Sequence, residues 1–397
     1  MLSRRHLLLG SGCALAAATR PARADAAQDV TVLHATNAGF NGTVPGPVIR
    51  ARRGDEVNVR LVNGLDDPMA LHWHGVHVPN PMDGGVPLTG RPVLPGASFD
   101  YRFPVLDAGT FWYRAALRSQ QERGLYGALI VTEPVSPLVD QDHLLMFGER
   151  RSTRDGMREF TLNGAATRDI AVRANERLRL RFVNASATLM NGRIENHRVI
   201  VMALDGEPAE PFASRAGRIV LAPGNRADVF VDAALAPGSI APIPFMQDGG
   251  EPPAARLVYG EVPARRAPLD EPAPLPANPL PQRMDFSRAL RVALPIEGRN
   301  AAAPAGMPLF SAARGRTVVM ALDNRDITAQ VVHFHGHHFR LLDRLDDGWK
   351  PYWLDTMVVE RRQTARIAFV ADNPGRWLIE QQALDGPAAG VNWFGVK

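Results

Sequence analysis

One pattern recurs three times along this 397-residue chain and constrains it more than any other feature. Residues 54–63 read Gly-Asp-Glu-Val-Asn-Val-Arg-Leu-Val-Asn, and residues 175–184 read Asn-Glu-Arg-Leu-Arg-Leu-Arg-Phe-Val-Asn. Residues 315–324, Gly-Arg-Thr-Val-Val-Met-Ala-Leu-Asp-Asn, form a third and less strictly alternating copy. Period-two alternation predicts a half-buried strand, because neighbouring side chains of an extended chain face opposite sides. The closing Asn predicts a turn. Each copy is followed by a second strand signal that opens on a turn, at 94–103, 221–231 and 362–370. Repeats of roughly 110–130 residues built this way are the size of β-sandwiches.

The chain is therefore expected to be all-β, with three Greek-key β-sandwich domains. Its 35 Gly and 33 Pro suit many turns, and 45% apolar residues suit packed cores. Residues 25–135, 136–262 and 286–397 are the expected domains. Glu133-Pro134-Val-Ser-Pro137 marks the first joint. Seven prolines between Pro263 and Pro281 make 263–285 an extended, semi-rigid linker. The net charge is only +4 and the arginines are scattered, so no nucleic-acid partner is expected.

The first 24 residues read as a twin-arginine signal peptide. Arg4-Arg5 precedes a short apolar stretch, and Ala22-Arg23-Ala24 offers a small-x-small cleavage site. The expected location is the periplasm, and no later segment reads as an integral membrane helix. Cys13, the only cysteine, lies inside the signal. The mature chain then has no thiol for a disulfide, an iron–sulfur cluster or a nucleophile.

Two His-x-His-Gly motifs occupy the same place in repeats one and three. His72-Trp73-His74-Gly75 starts 18 residues after Gly54, and His333-Phe334-His335-Gly336 starts 18 residues after Gly315. Repeat two has Arg193 at that offset. Residues i and i+2 of a strand share a face, so each pair presents two imidazoles to one point. If domains one and three pack together, the four converge on one metal across the interface. His337 follows closely but out of step with the repeat, as a residue behind the ligands or a structural one. His34, His143 and His197 have no partner at ligand spacing.

Here a family resemblance becomes specific. The two histidine motifs, Gly109-Thr-Phe-Trp-Tyr113 and Asp372-Asn-Pro-Gly-Arg-Trp377 resemble the four copper-binding blocks of the multicopper oxidases, the laccase family. The resemblance implies cupredoxin-like domains, a trinuclear copper cluster between domains one and three, and a separate type-1 copper in domain three. It also implies which ligands are replaced. Gln330, Gln381, Gly386 and Val391 stand at the type-1 positions, and Arg114, Ala116, Glu380 and Gln382 at half of the cluster positions. Asp83 matches an acidic residue that handles protons near the cluster in that family; it also reads as an ordinary turn aspartate before Gly84.

The repeat supports this alignment: Arg114 lies five residues after Gly109, and Glu380 five after Gly375. Arg114 cannot ligate a metal, and with Glu380 it is expected to form a buried ion pair where relatives hold copper. The expected cofactor is one copper ion, with zinc or no metal as alternatives. The expected function is an exported multicopper-oxidase-like protein with at most a residual four-His site and no laccase-type activity. Alternatives are a mononuclear copper oxidoreductase fed by an external donor, and a metal-free periplasmic scaffold in envelope or cell-division interactions. The periplasmic partner or redox donor is unidentified.

Overall fold

The computed structural model describes residues 30–151, 158–246, 253–297, 306–342, 350–384 and 388–397. The signal segment 1–24 and Gly386 lie outside the described residues. The chain is built almost wholly from strands. Residues 31–132 form two four-stranded sheets, residues 141–259 a six- and a five-stranded sheet, and residues 290–396 a four- and a five-stranded sheet. Within each pair, strands adjacent in space are often distant in sequence, as in a Greek key.

The three repeat copies are the strands Glu56–Asn63, Arg177–Asn184 and Arg316–Asn324. The first alternates between core and surface as expected. The second does not: all eight of its residues are buried. Its polar face carries Arg177, Arg179 and Arg181, and that face is covered by neighbouring segments and by the first unit. Arg179 meets Glu133 at 2.8 Å and Asp228 at 2.5 Å, while Arg181 donates to Thr110 Oγ1 at 2.9 Å. Alternation there separates a core face from an inter-unit face rather than from solvent.

The closing asparagine has the same role in all three copies. Asn63 Nδ2 donates to the carbonyls of Asp67 and Val93, Asn184 Nδ2 to those of Thr188 and Leu221, and Asn324 Nδ2 to those of Thr328 and Val359, all at 2.8–2.9 Å. Each Oδ1 accepts the backbone N–H two residues on. The side chain thus stitches the end of one strand to the turn that follows.

Packing decides what the histidines face. The buried apolar residues of units one and three join in one cluster, whereas unit two has its own. The proline-rich segment is tied down: Leu275 packs with Ile200, Met202 and Phe230, and Asn278 exchanges hydrogen bonds with both main-chain groups of Ala108 at 2.9 Å. Among the described residues, no helix is long and apolar enough to cross a membrane.

Candidate metal centre

The strand Leu71–His74 pairs antiparallel with Gly109–Ala115, which sets His72 opposite Arg114 and His74 opposite Trp112. In the third unit Gln330–Phe334 lies between Gly375–Ala383 and Thr356–Val359, so His333 faces Glu380 on one side and Thr356 on the other. The glycine after each pair is required by space and backbone angle. Gly75 and Gly336 have φ of +82° and +61°. A Cβ on Gly75 would lie 2.1 Å from Arg226 Nη2, and one on Gly336 2.3 Å from the Trp377 ring.

The four histidines converge across the boundary between units one and three, all buried. His74 and His333 stack at 3.6 Å, and His72 and His335 at 3.8 Å. His72 Nε2 and His333 Nε2 are 3.0 Å apart.

The hydrogen bonds fix which nitrogens carry protons. His72 Nδ1 lies 3.1 Å from the Asp83 carbonyl oxygen, which only accepts, so this nitrogen is the N–H. The Thr356 hydroxyl spends its proton on Asp355 Oδ1 at 2.7 Å. It can therefore only accept from His333 Nδ1 at 2.9 Å and from His74 Nε2 at 3.0 Å. In the neutral rings, His72 Nε2 and His333 Nε2 then present lone pairs to each other. His74 Nδ1, buried and without a hydrogen-bond partner, keeps a third. Burial lowers the pKa of all three rings, that of His72 to about 3, so added protons do not relieve the opposed lone pairs. A cation does. One ring nitrogen from each of His72, His74 and His333 lies within 4.8 Å of the others, and a set of imidazole donors suits copper or zinc.

His335 is different. Its Nδ1 lies 2.9 Å from Asp83 Oδ2 and its Nε2 3.4 Å from Glu380 Oε1. Burial opposes its protonation, yet Asp83 and Glu380 outweigh burial and raise its pKa to about 9. At neutral pH it is an imidazolium with no lone pair to offer. Asp83 completes a second three-residue group with His72 and His335.

Arg114 and Glu380 are in contact through Nη2 and Oε2. Arg114 is 5% exposed, while the Glu380 side chain is 29% exposed. Burial works against ionisation of Glu380, but Arg114 and then His335 hold it well below its usual range. The outcome is a balanced cluster of Arg114, His335, Asp83 and Glu380 beside three neutral imidazoles.

Similarity to known proteins follows the same three units. Multicopper oxidase family profiles match residues 24–136, 112–239 and 274–384. Multicopper oxidase MmcO of Mycobacterium tuberculosis is 27% identical over 86% of this chain and 79% of its own length. A multi-copper oxidase from Pseudomonas thermotolerans has a crystal structure that superposes with a TM-score of 0.81 at 29% identity, covering 93% of this chain and 99% of that one. Lac15 from a marine microbial metagenome is 31% identical with a TM-score of 0.79, over 92% of this chain and 99% of its own.

The chain belongs to the multicopper oxidase family.

Each unit of this multicopper oxidase family member is accordingly a cupredoxin-like sandwich. Arg114, Ala116, Glu380, Gln381, Gln382 and Val391 line one cavity of about 330 Å³ together with His74 and His333. Gln330 does not line it; its Nε2 turns instead to Thr328 Oγ1 at 3.0 Å. His337 packs among Phe369, Trp377 and Phe394, a structural place. His143 and His197 bond to Gln141 and Tyr259 and join neither three-residue group.

Sequence spacing gave no sign of four residues that matter here. Asp355 and Thr356 orient the rings, and Arg226 holds Asp355. His77, whose Nδ1 lies 2.6 Å from Asp107 Oδ2, meets His338 with ring centres 4.8 Å apart and planes tilted by 54°, in a second buried cluster.

Proposed function

We propose that this multicopper oxidase family member is an exported protein that holds one metal ion, copper before zinc, on His72, His74 and His333. His335 would join only on giving up its proton. The facing Nε2 lone pairs of His72 and His333, 3.0 Å apart, carry this reading. The remaining family positions hold a self-neutral cluster in place of ligands, and laccase-type reduction of oxygen is absent. Support for that absence is chemical: a blue copper centre needs a thiolate, and Cys13 is the only cysteine. The Arg114 guanidinium, beside His72, repels further cations. The N-terminal twin-arginine pattern supports export to the periplasm.

A bound copper ion would supply one-electron redox chemistry there, and zinc only Lewis acidity. The protein's own groups have defined tasks. Asp83 and Glu380 hold a proton on His335, Arg114 neutralises Glu380, and the cavity gives a small molecule access to His74 and His333. That access favours a mononuclear oxidoreductase fed by an external donor among the active alternatives.

Metal analysis of protein isolated from the periplasm tests the proposal. About one copper or zinc per chain is expected, lost on His72→Ala with His333→Ala, and without blue thiolate-to-copper absorption. Three tightly held coppers would overturn it. So would no metal at all, which would leave the metal-free scaffold, a reading favoured by the self-neutral charge cluster.

A further inference from the structure

The second domain supplies no histidine pair, yet it reaches the centre between the other two. Arg226 is fully buried, and every N–H of its guanidinium has an acceptor. Nε donates to the Thr110 carbonyl at 3.2 Å, Nη1 to the Gly224 carbonyl at 3.1 Å and Asp355 Oδ1 at 3.0 Å, and Nη2 to the Asp205 carbonyl and Asp355 Oδ2, both at 2.6 Å. Five donors on five acceptors leave the group one orientation. Asp205, also in domain two, accepts the backbone N–H groups of Asp355 and Thr356 at 3.3 Å. Side chain and main chain of Asp355 are thus both held from domain two.

Asp355 passes this constraint on. Its Oδ1 takes the Thr356 hydroxyl proton at 2.7 Å and lies 3.3 Å from both His74 Nε2 and His333 Nδ1. The hydroxyl oxygen is thereby left to accept from the same two ring nitrogens. We propose that Arg226 is a positioning residue of the candidate metal centre: through Asp355 and Thr356 it selects the Nε2–H tautomer of His74, so that His74 Nδ1 is the nitrogen left free, whereas His333 Nδ1 also lies 3.2 Å from the Asp355 carbonyl oxygen and keeps its proton without that help. Without it the Asp355 carboxylate loses the fork that fixes its plane. The Thr356 hydroxyl can then turn and donate, and the His74 imidazole is free to take the other tautomer.

The consequence for metal affinity rests on the functional reading above, but the tautomers do not, and the experiment separates the two. Full-length protein labelled with ¹⁵N-histidine is examined metal-free by long-range ¹H–¹⁵N correlation, which reads each ring's tautomer, and is then titrated with Cu(II). The parent should show His74 as Nε2–H and His333 as Nδ1–H. Arg226→Gln, Asp355→Asn and Thr356→Val should each give mixed tautomers at His74, with His333, His143 and His197 unchanged. Copper should bind these variants about 10–100-fold more weakly, the usual effect of losing an outer-shell partner. Thr356→Ser, which keeps the hydroxyl, should behave as the parent. If Arg226→Gln does not fold, Asp355→Asn tests the same link. Parent-like tautomers in a folded Arg226→Gln or Asp355→Asn protein would overturn the proposal. A parent that binds no copper would instead sink the functional reading, while the tautomers would still decide this one.

Discussion

At the scale of single residues, the former copper positions are occupied by charge rather than by apolar filler, and the two partners are not equivalent. Glu380 touches both Arg114 and His335, whereas Arg114 has Glu380 as its ion-pair partner. Glu380→Ala therefore leaves Arg114 buried without its ion-pair partner and His335 with Asp83 alone. A cost of about 3 kcal/mol is expected, at the low end for a broken buried pair because Glu380 is partly exposed. Arg114→Ala leaves Glu380 beside His335 and should cost less. The double variant should lose less than the sum of the singles in urea unfolding. His77 offers a pH test away from the ligands. Burial opposes its charge, but Asp107 above all, with Asp372 and Glu207, raises its pKa from 6.5 to about 9. A raised folded-state value stabilises fully below the ordinary value and is lost as pH rises through the folded one. Parent stability should therefore exceed that of His77→Gln most at pH 6, with the gap closing as pH passes about 9. A gap that does not change with pH would contradict this.

At the scale of elements, the repeat is a strand plus its stitch. The closing Asn of each copy is buried; it bonds one carbonyl and one backbone N–H of the adjoining turn and a second carbonyl 30–37 residues further along the chain. Alanine there leaves these groups unpaired without water to replace the side chain. Asn63→Ala, Asn184→Ala and Asn324→Ala are each expected to cost about 1–3 kcal/mol in denaturant unfolding. The three sites share no partners, so their effects should add. A cost confined to one of them would mean that the repeated Asn is not a repeated stitch.

At the scale of the molecule, domains one and three are joined by a continuous apolar core, and domain two is joined to domain one by a smaller apolar cluster and to both by buried polar contacts. Arg179 is central to that second joint, held between Glu133 and Asp228 with all three side chains buried. Arg179→Met strands Glu133 and leaves Asp228 with the Thr110 hydroxyl at 2.6 Å and the longer contact from Arg181 at 3.1 Å. A loss of about 3–5 kcal/mol is expected in calorimetry. A variant as stable as the parent would show that the joint depends on the surrounding packing instead.

The sequence by itself determined the elements and their copies. Period-two alternation, the closing Asn and the shared offset of the His-x-His-Gly motifs are local facts, because an extended chain fixes which side each residue faces. Those facts were enough for three sandwiches and for the convergence of His72, His74, His333 and His335 on one place, but not for the separation of His335 from the other three. That Cys13 is the only cysteine was equally legible. Only the tertiary structure decided what each face meets. Alternation marks a side of a strand but not what docks on it, so the full burial of Arg177–Asn184 could not be read from its pattern. The same limit hid Arg226, Asp355 and Thr356: Arg226 and Asp355 are 129 residues apart, in different domains, and meet only when the domains dock at one angle. Protonation follows from that docking as well. His335 and His333 are two residues apart on one motif, yet one is held charged between Asp83 and Glu380 and the other neutral against Thr356, because each ring takes its proton pattern from neighbours that the chain brings to it from elsewhere.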